Sequence, residues 1–300
     1  MRTREHLARA MWTLFEPIHA VTYFSAQSRE EFAALGLTRY WDGYFAGRAA
    51  PLGAVSAEPV VAIFSGFAPS LVGRALPSLW SSVSVEQALD ARSRGAAAAL
   101  RVLMPDEEVV AKAAAALAPI AQHVDTIGRP LAAANRALPE ASDPYQRLWQ
   151  AATTLREHRG EGHVIALVSE EIAGLTTIVL RSAVDADVTT MKRVRGWSED
   201  EWDAEVEDLM TRGLLNPHNT ITAIGAEALN RAEQLTNRLA LGPWKRLDDH
   251  DIISVALLLA PIARECGNIF PYPNPIGITQ PWNPDEDPTA SAVPAMPVMA

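Results

Sequence analysis

The 300-residue chain is 48% hydrophobic and carries a formal net charge of −10. That apolar share is enough to build a sizeable core, in one large domain or two closely packed ones. The acidic balance excludes a general attraction to nucleic acid or to anionic membrane, so any such contact needs a local basic patch.

In chain order the periodicity predicts a mainly α protein. Leu7, Met11, Leu14, Ile18 and Val21 recur at helical spacing over residues 4–25. Pro17 lies inside that helix and is expected to kink it. An aromatic-rich segment follows over 31–50, with Phe32, Tyr40, Trp41, Tyr44 and Phe45. A turn at Pro51 to Gly53 leads to a short helix broken by Gly66 and Pro69. Ser84 with Gln87 forms a capping box for a helix over 85–103. Asp106 caps the next, which runs to His123. Asp143 before Pro144 is a strong helix start, because proline is tolerated in the first turn. That helix is expected to end at Gly160, with two more over 162–170 and 174–183.

Ser198 and Glu201 make a second capping box, for a helix over 198–212. Gly213 is placed to end it in the left-handed conformation. Leu214 and Leu215 are expected to start a short strand, Asn216 to Asn219 to turn, and Thr220 to Thr222 to return. Long helices then follow over 224–241 and from Asp248 or Asp249 to Cys266. Helix, glycine, short hairpin and long helix is the order of a winged helix-turn-helix. The expected fold class is therefore mainly α, a winged helix-turn-helix packed on a helical N-terminal region. Three parts are expected: a helical, aromatic-rich region over 1–141, a winged-helix region over 142–269, and a proline-rich tail over 270–300. The helix after Trp80 faintly echoes the one after Trp197, so the first part is read as room for a degenerate winged helix. The tail is expected to strap the surface and to be disordered after about Asp285.

Cys266 is the only cysteine, which forbids an intrachain disulfide and fits a reducing compartment. The first residues lack an apolar core of signal-peptide length. The longest apolar run, Ile252 to Ile262, is too short to span a bilayer. A cytoplasmic protein with no membrane partner is expected.

Several stretches together resemble a known family. EPIHAVTYF (16–24), RAAPLG (48–53), LREHRGEGHV (155–164), RGWSEDEW (195–202) and RGLL (212–215) are similar to an actinobacterial winged helix-turn-helix family, the SalK-like proteins. The resemblance spans about residues 10–278. It implies a winged-helix fold and, by fold, binding of double-stranded DNA; it implies no particular chemistry.

Two functional readings follow from the residues. In the first, the protein is a ligand-responsive transcriptional regulator, as a monomer or homodimer. Lys192, Arg193, Arg195 and Arg212 then contact phosphate, since positioning contacts need no sequence code. The 198–212 helix itself opposes this, with seven carboxylates against Arg212. In the second, the winged helix is a scaffold for a small-molecule site or an enzyme. Its pocket draws on His19, Tyr23 and Arg48 from the aromatic half and on Arg156, His158 and His163 from the REHRGEGH cluster. Arginines at 156 and 159 suit an anionic ligand, and the aromatic half suits an apolar one. The plainer reading of that cluster is a helix C-terminus rich in cations, with His158 near an opening and His163 buried. Glu16-x-x-His19 has the spacing of carboxylate-bridged metal bundles, but the motif occurs once where those bundles need it twice. No metal site, cofactor or catalytic group is assigned.

Overall fold

The computed structural model describes residues 4–272 and 274–287. The disordered end expected after about Asp285 lies, from residue 288 onward, outside the described residues. The described chain is mainly helical and holds no β-strand. In order the helices are α1 (Arg4–Phe24), α2 (Ala26–Ala34), α3 (Tyr40–Ala49), α4 (Ala57–Phe64), α5 (Pro69–Gly73), α6 (Val85–Leu103) and α7 (Glu107–Ala121). Then come α8 (Pro130–Arg136), α9 (Pro144–Ser169), α10 (Leu175–Ser182), α11 (Val188–Arg195), α12 (Glu199–Thr211), α13 (Ala223–Leu239) and α14 (Asp249–Gly267).

The caps that punctuate the sequence start the helices. The boxes Ser84–Gln87 and Ser198–Glu201 are complete, with both side chains bonded to the opposing backbone N–H. Asp106, Asp143 and Asp187 each accept from backbone N–H groups of the first turn of α7, α9 and α11. Asp187 starts a helix that periodicity alone does not predict, because VTTMKRVR is short and largely polar.

Two expectations need correction. The first concerns Gly160, which does not end a helix. α9 runs for 26 residues through both Gly160 and Gly162. A mid-helix glycine costs only about 1 kcal/mol, and tertiary contacts outweigh that here. Glu157, His158, Arg159 and Glu161 are all buried and all bonded to side chains or backbone of other elements. The cation-rich helix terminus is thus a buried mid-helix cluster. Gly162 also lets α13 close in, since a Cβ there would lie 3.3 Å from Leu239 Cβ.

The second concerns residues 214–222. They turn back on themselves, but as one antiparallel bridge, Leu215 with Ile221, not as two strands. Asn216 N–H donates to Thr220 O at 2.9 Å and Thr222 N–H to Leu214 O at 3.0 Å. Asn216 Oδ1 caps the tip by accepting from His218 and Thr220 N–H, which shortens the pairing. Gly225 is required behind this turn, because a Cβ would meet Leu214 O at 2.4 Å.

Three apolar cores result. One joins α1, α6, α7, α14 and the first half of α9, around Met11, Leu14, Trp149 and Leu259. A second gathers α2 to α5 with the start of α6, around Phe45, Phe64 and Phe67. Residues 40–103 are helical throughout their ordered elements, so an N-terminal winged helix finds no strand there. The third core joins the end of α9 to α10–α13, around Leu167, Trp202 and Leu209. α9 is the shared spine of the first and third, packing also on α8 and α13. Residues 274–287 form no helix or strand; Ile278 and Trp282 are buried in the first core. Trp282 N–H donates to Thr13 Oγ1 of α1 at 2.9 Å.

Candidate functional site: an arginine-lined chamber between the three cores

Where the cores meet, helix packing leaves a cavity of about 490 Å3. α1 contributes Arg9, Trp12 and Glu16, one stripe at helical spacing. α9 contributes Arg156, Arg159, Gly160, His163, Val164 and Leu167, again one face. Arg48 enters from α3 and Phe64 from α4. Thr177, Ile178 and Arg181 come from α10, Met191 and Arg195 from α11, and Leu229 and Glu233 from α13. Residues 274–279 form the remaining wall.

The lining has six arginines against four carboxylates, Glu16, Glu161, Asp185 and Glu233. Most of this charge is organised in networks. Glu233 accepts from Arg9 and, at 2.7 Å, from Arg159 Nη2. Burial raises its carboxyl, and Arg159 and Arg9 outweigh burial, so it ends below the usual carboxylate range. Glu157 accepts from Arg48 Nε and Nη2 at 3.1 Å each and from Arg156 Nη1 at 2.7 Å. Glu16 accepts from Trp12 Nε1 at 2.9 Å and Arg156 Nε at 3.3 Å. Glu161 turns away and caps α8, accepting from Leu131 and Ala132 N–H at 2.8 Å. Aromatic faces carry the cations: Arg159 lies 4.5 Å over Trp12 and Arg48 3.9 Å over Phe64.

Arg195 is different. Among the described residues no carboxylate pairs with it; its Nη2 donates to Pro275 O at 2.8 Å, and its guanidinium lies 4.6 Å over Phe67. Arg159 Nε, Arg195 Nε and Thr279 Oγ1 are sealed from solvent without a hydrogen-bond partner, and all three residues line the chamber.

A smaller cavity, about 110 Å3, lies beside it and is lined by His19, Tyr23, Arg48, Arg92, Trp149, Thr153 and Glu157. Arg48 lines both, so the Arg48–Glu157 pair is part of the partition. His19 is bonded on both ring nitrogens, to Thr153 Oγ1 and Tyr23 Oη, each at 2.9 Å. Burial is the main reason its pKa falls well below that of free histidine, with Arg156 adding to it. Glu16 and His19 have separate partners, so the Glu-x-x-His spacing here serves two different networks.

The expected site residues therefore divide. His19, Tyr23 and Arg48 meet in the small cavity, and Arg48, Arg156 and His163 in the large one. His158 lines neither. It is fully buried on another face of α9, where Arg129 Nη1 donates to its Nε2 at 2.9 Å. The expected opening at His158 is therefore absent, while the expected hydrogen bond of His163 is present; five positions along a continuous helix turn the two rings to different sides. His163 faces the chamber and bonds Thr236 Oγ1 at 2.9 Å. Arg9, Arg181 and Glu233 escaped the sequence reading. The available signal was Arg9, Trp12 and Glu16 at i, i+3 and i+7, one stripe of α1.

α10, α11 and α12 follow one another closely, with Gly196 in the left-handed conformation (φ 78°) at the turn between α11 and α12. A Cβ on Gly196 would strike Leu71 Cβ at 2.7 Å, so glycine lets this turn dock on α5. Trp197 Nε1 donates to Gly66 O and Ala68 N–H to Arg195 O, at 3.1 and 2.8 Å. Of the four cations expected to contact phosphate, Lys192 pairs with Glu199 over the Trp202 ring. Arg212 bonds Glu171 O at 2.6 Å and Asp208 at 3.3 Å. Arg195 faces the chamber, and Arg193 is exposed. The outward side of α12 exposes Glu199, Asp200, Glu201, Asp203, Glu207 and Asp208.

Residues 8–271 match a family described as a helix-turn-helix family, and the chain belongs to it. No curated protein and no solved structure matches it. Among the described residues no helix is long and apolar enough to cross a membrane.

Proposed function

We propose that the protein is a ligand-responsive regulator of the helix-turn-helix class, with the turn at 214–222 in the place of a wing and the chamber as its sensing site. One observation carries this reading: the chamber is walled on one side by α10 and α11 and on the other by α1 and α9. A molecule held there touches the helix-turn-helix and the helical body at once, which is the arrangement a population shift requires. Apolar surfaces from Phe64, Ile178, Met191 and Leu229, beside charged groups largely tied up in pairs, suit a small-molecule pocket. The likeness of the motifs to SalK-like proteins supports the regulator class. Native mass spectrometry of the purified chain tests it. A retained compound that raises the melting temperature when added back supports the reading. No retained compound, and no stabilisation by any member of a metabolite library, overturns it.

A second reading is favoured by the surface of α12. Its exposed carboxylates repel a polyanion, so the helix-turn-helix can serve as a packing scaffold for the chamber and not as a DNA reader. Gel shifts on genomic fragments at low salt separate the two readings.

A further inference from the structure

We propose that Arg195 is the anchor for the anionic group of the chamber's ligand, and that the ligand is an oxyanion, carboxylate or phosphate, on an apolar body. The proposal rests on the chamber being a ligand site and names what it takes.

The other chamber arginines with resolved partners are answered by carboxylates: Arg48 and Arg156 by Glu157, Arg159 and Arg9 by Glu233, Arg181 by Asp185. Among the described residues Arg195 has a main-chain carbonyl as its hydrogen-bond partner, Pro275 O, at 2.8 Å. A guanidinium presents five N–H donors and cannot shed its charge at ordinary pH. Arg195 is half-buried, and withdrawing such a charge from water without a counter-charge is unfavourable. Its Nε is sealed and unbonded, as is Arg159 Nε in a side chain more than nine-tenths buried. Thr279 Oγ1, on the segment 274–279, is the third unmatched group among the lining residues. A planar or tetrahedral oxyanion supplies acceptors for such donors. The apolar body follows from the rest of the lining, where Ile178, Met191 and Leu229 offer nothing to bond. Burial lowers the Arg195 pKa most, Tyr44 opposes it, and Arg48 and Arg156 lower it again.

Arg195 is also the last residue of α11. Its carbonyl accepts Ala68 N–H, and Gly196 of the helix-turn-helix turn follows it. An anion seated on Arg195 therefore acts one residue from that turn.

The test is calorimetric titration of the full chain with 2-naphthoate, 2-naphthyl phosphate and neutral 2-naphthylmethanol, with thermal shifts as a second readout. The wild type is expected to bind at least one anionic probe about tenfold or more tightly than the neutral one, as charge-assisted bonds require. The tighter anion tells carboxylate from phosphate. Arg195→Gln should reduce both anions to the neutral probe's affinity, while Arg193→Gln changes nothing. Should Arg195→Gln fail to fold, Arg195→Lys takes its place, expected to keep a weakened preference for anions. Equal affinity for neutral and anionic probes in the wild type, or an unchanged preference in Arg195→Gln, overturns the anchor while leaving the chamber a ligand site. Binding of none of the three overturns both.

Discussion

Arg48 holds Glu157 with both sides of its guanidinium, Nε on one carboxylate oxygen and Nη2 on the other at 3.1 Å, across 109 residues of sequence. The pair ties α3 of the second core to the spine helix α9, and both side chains are at least nine-tenths buried. Burial pushes the Glu157 carboxyl up, yet Arg156 and then Arg48 pull it further down, so it stays ionised. Glu157→Gln leaves two enclosed guanidiniums short of their counter-charge. It should cost about 3–5 kcal/mol, the range for breaking a buried pair. Urea unfolding measures this, and a loss under about 1 kcal/mol, the scale of an exposed pair, would refute the structural role.

Two histidines on α9 should make the fold acid-sensitive. Burial lowers His163 to about 4 and His158 to about 3, the latter helped by Arg129. Unfolded histidine takes its proton near pH 6.5. Between that pH and 4 the unfolded chain binds more protons, so stability is full above about 6.5 and declines as the pH falls. The double variant His158→Gln, His163→Gln should show a shallower decline over that window than wild type. Equal slopes would mean that neither ring is held neutral by the fold.

Gly160 and Gly225 should respond oppositely to alanine. At Gly160 an added Cβ makes only ordinary contacts, the nearest being Arg156 Nη1 at 3.7 Å. Gly160→Ala should stabilise α9 by about 0.5–1 kcal/mol. Gly225→Ala drives a methyl into Leu214 O and should destabilise by about 1–3 kcal/mol. Thermal melts of the two variants read the sign directly.

If DNA is bound, the phosphate contact rests on Arg193 more than on its neighbours. Arg193→Ala should weaken binding to all sequences alike and reduce the salt slope by about one. Lys192→Ala should change little, because Glu199 and the Trp202 ring already occupy that ammonium. Anisotropy titrations across a salt series decide it, and the reverse order of effects would move the contact to Lys192.

The helix starts were legible because capping is local: Ser84, Asp106, Asp143 and Ser198 act within three residues of themselves. The stop at Gly160 misled because local propensity is worth about 1 kcal/mol, and partners from α1, α3, α8 and α13 decide the matter. The reversal at 214–222 was legible but not the shortness of its pairing, since Asn216 spends its side chain closing the tip. Arg195 looked like a surface cation beside Lys192 and Arg193. Only the docking of Gly196 on Leu71 turns it inward, and no spacing along α11 encodes that. His19, Tyr23 and Arg48 were found as polar groups among aromatics, a pattern that survives folding because α1 and α3 present those faces to each other.

The wall formed by residues 274–279 and anchored by Trp282 on Thr13 is the last part of the chamber to leave the ribosome. α1 waits through the synthesis of more than 260 residues before its final partner arrives. Until then the six arginines surround an unfinished basin, open to water and to polyanions. Chains released short of Trp282 should therefore leave the first core incomplete and the chamber without the anchor of that wall. Such stalled or clipped products would carry the charge of the interior on their surface.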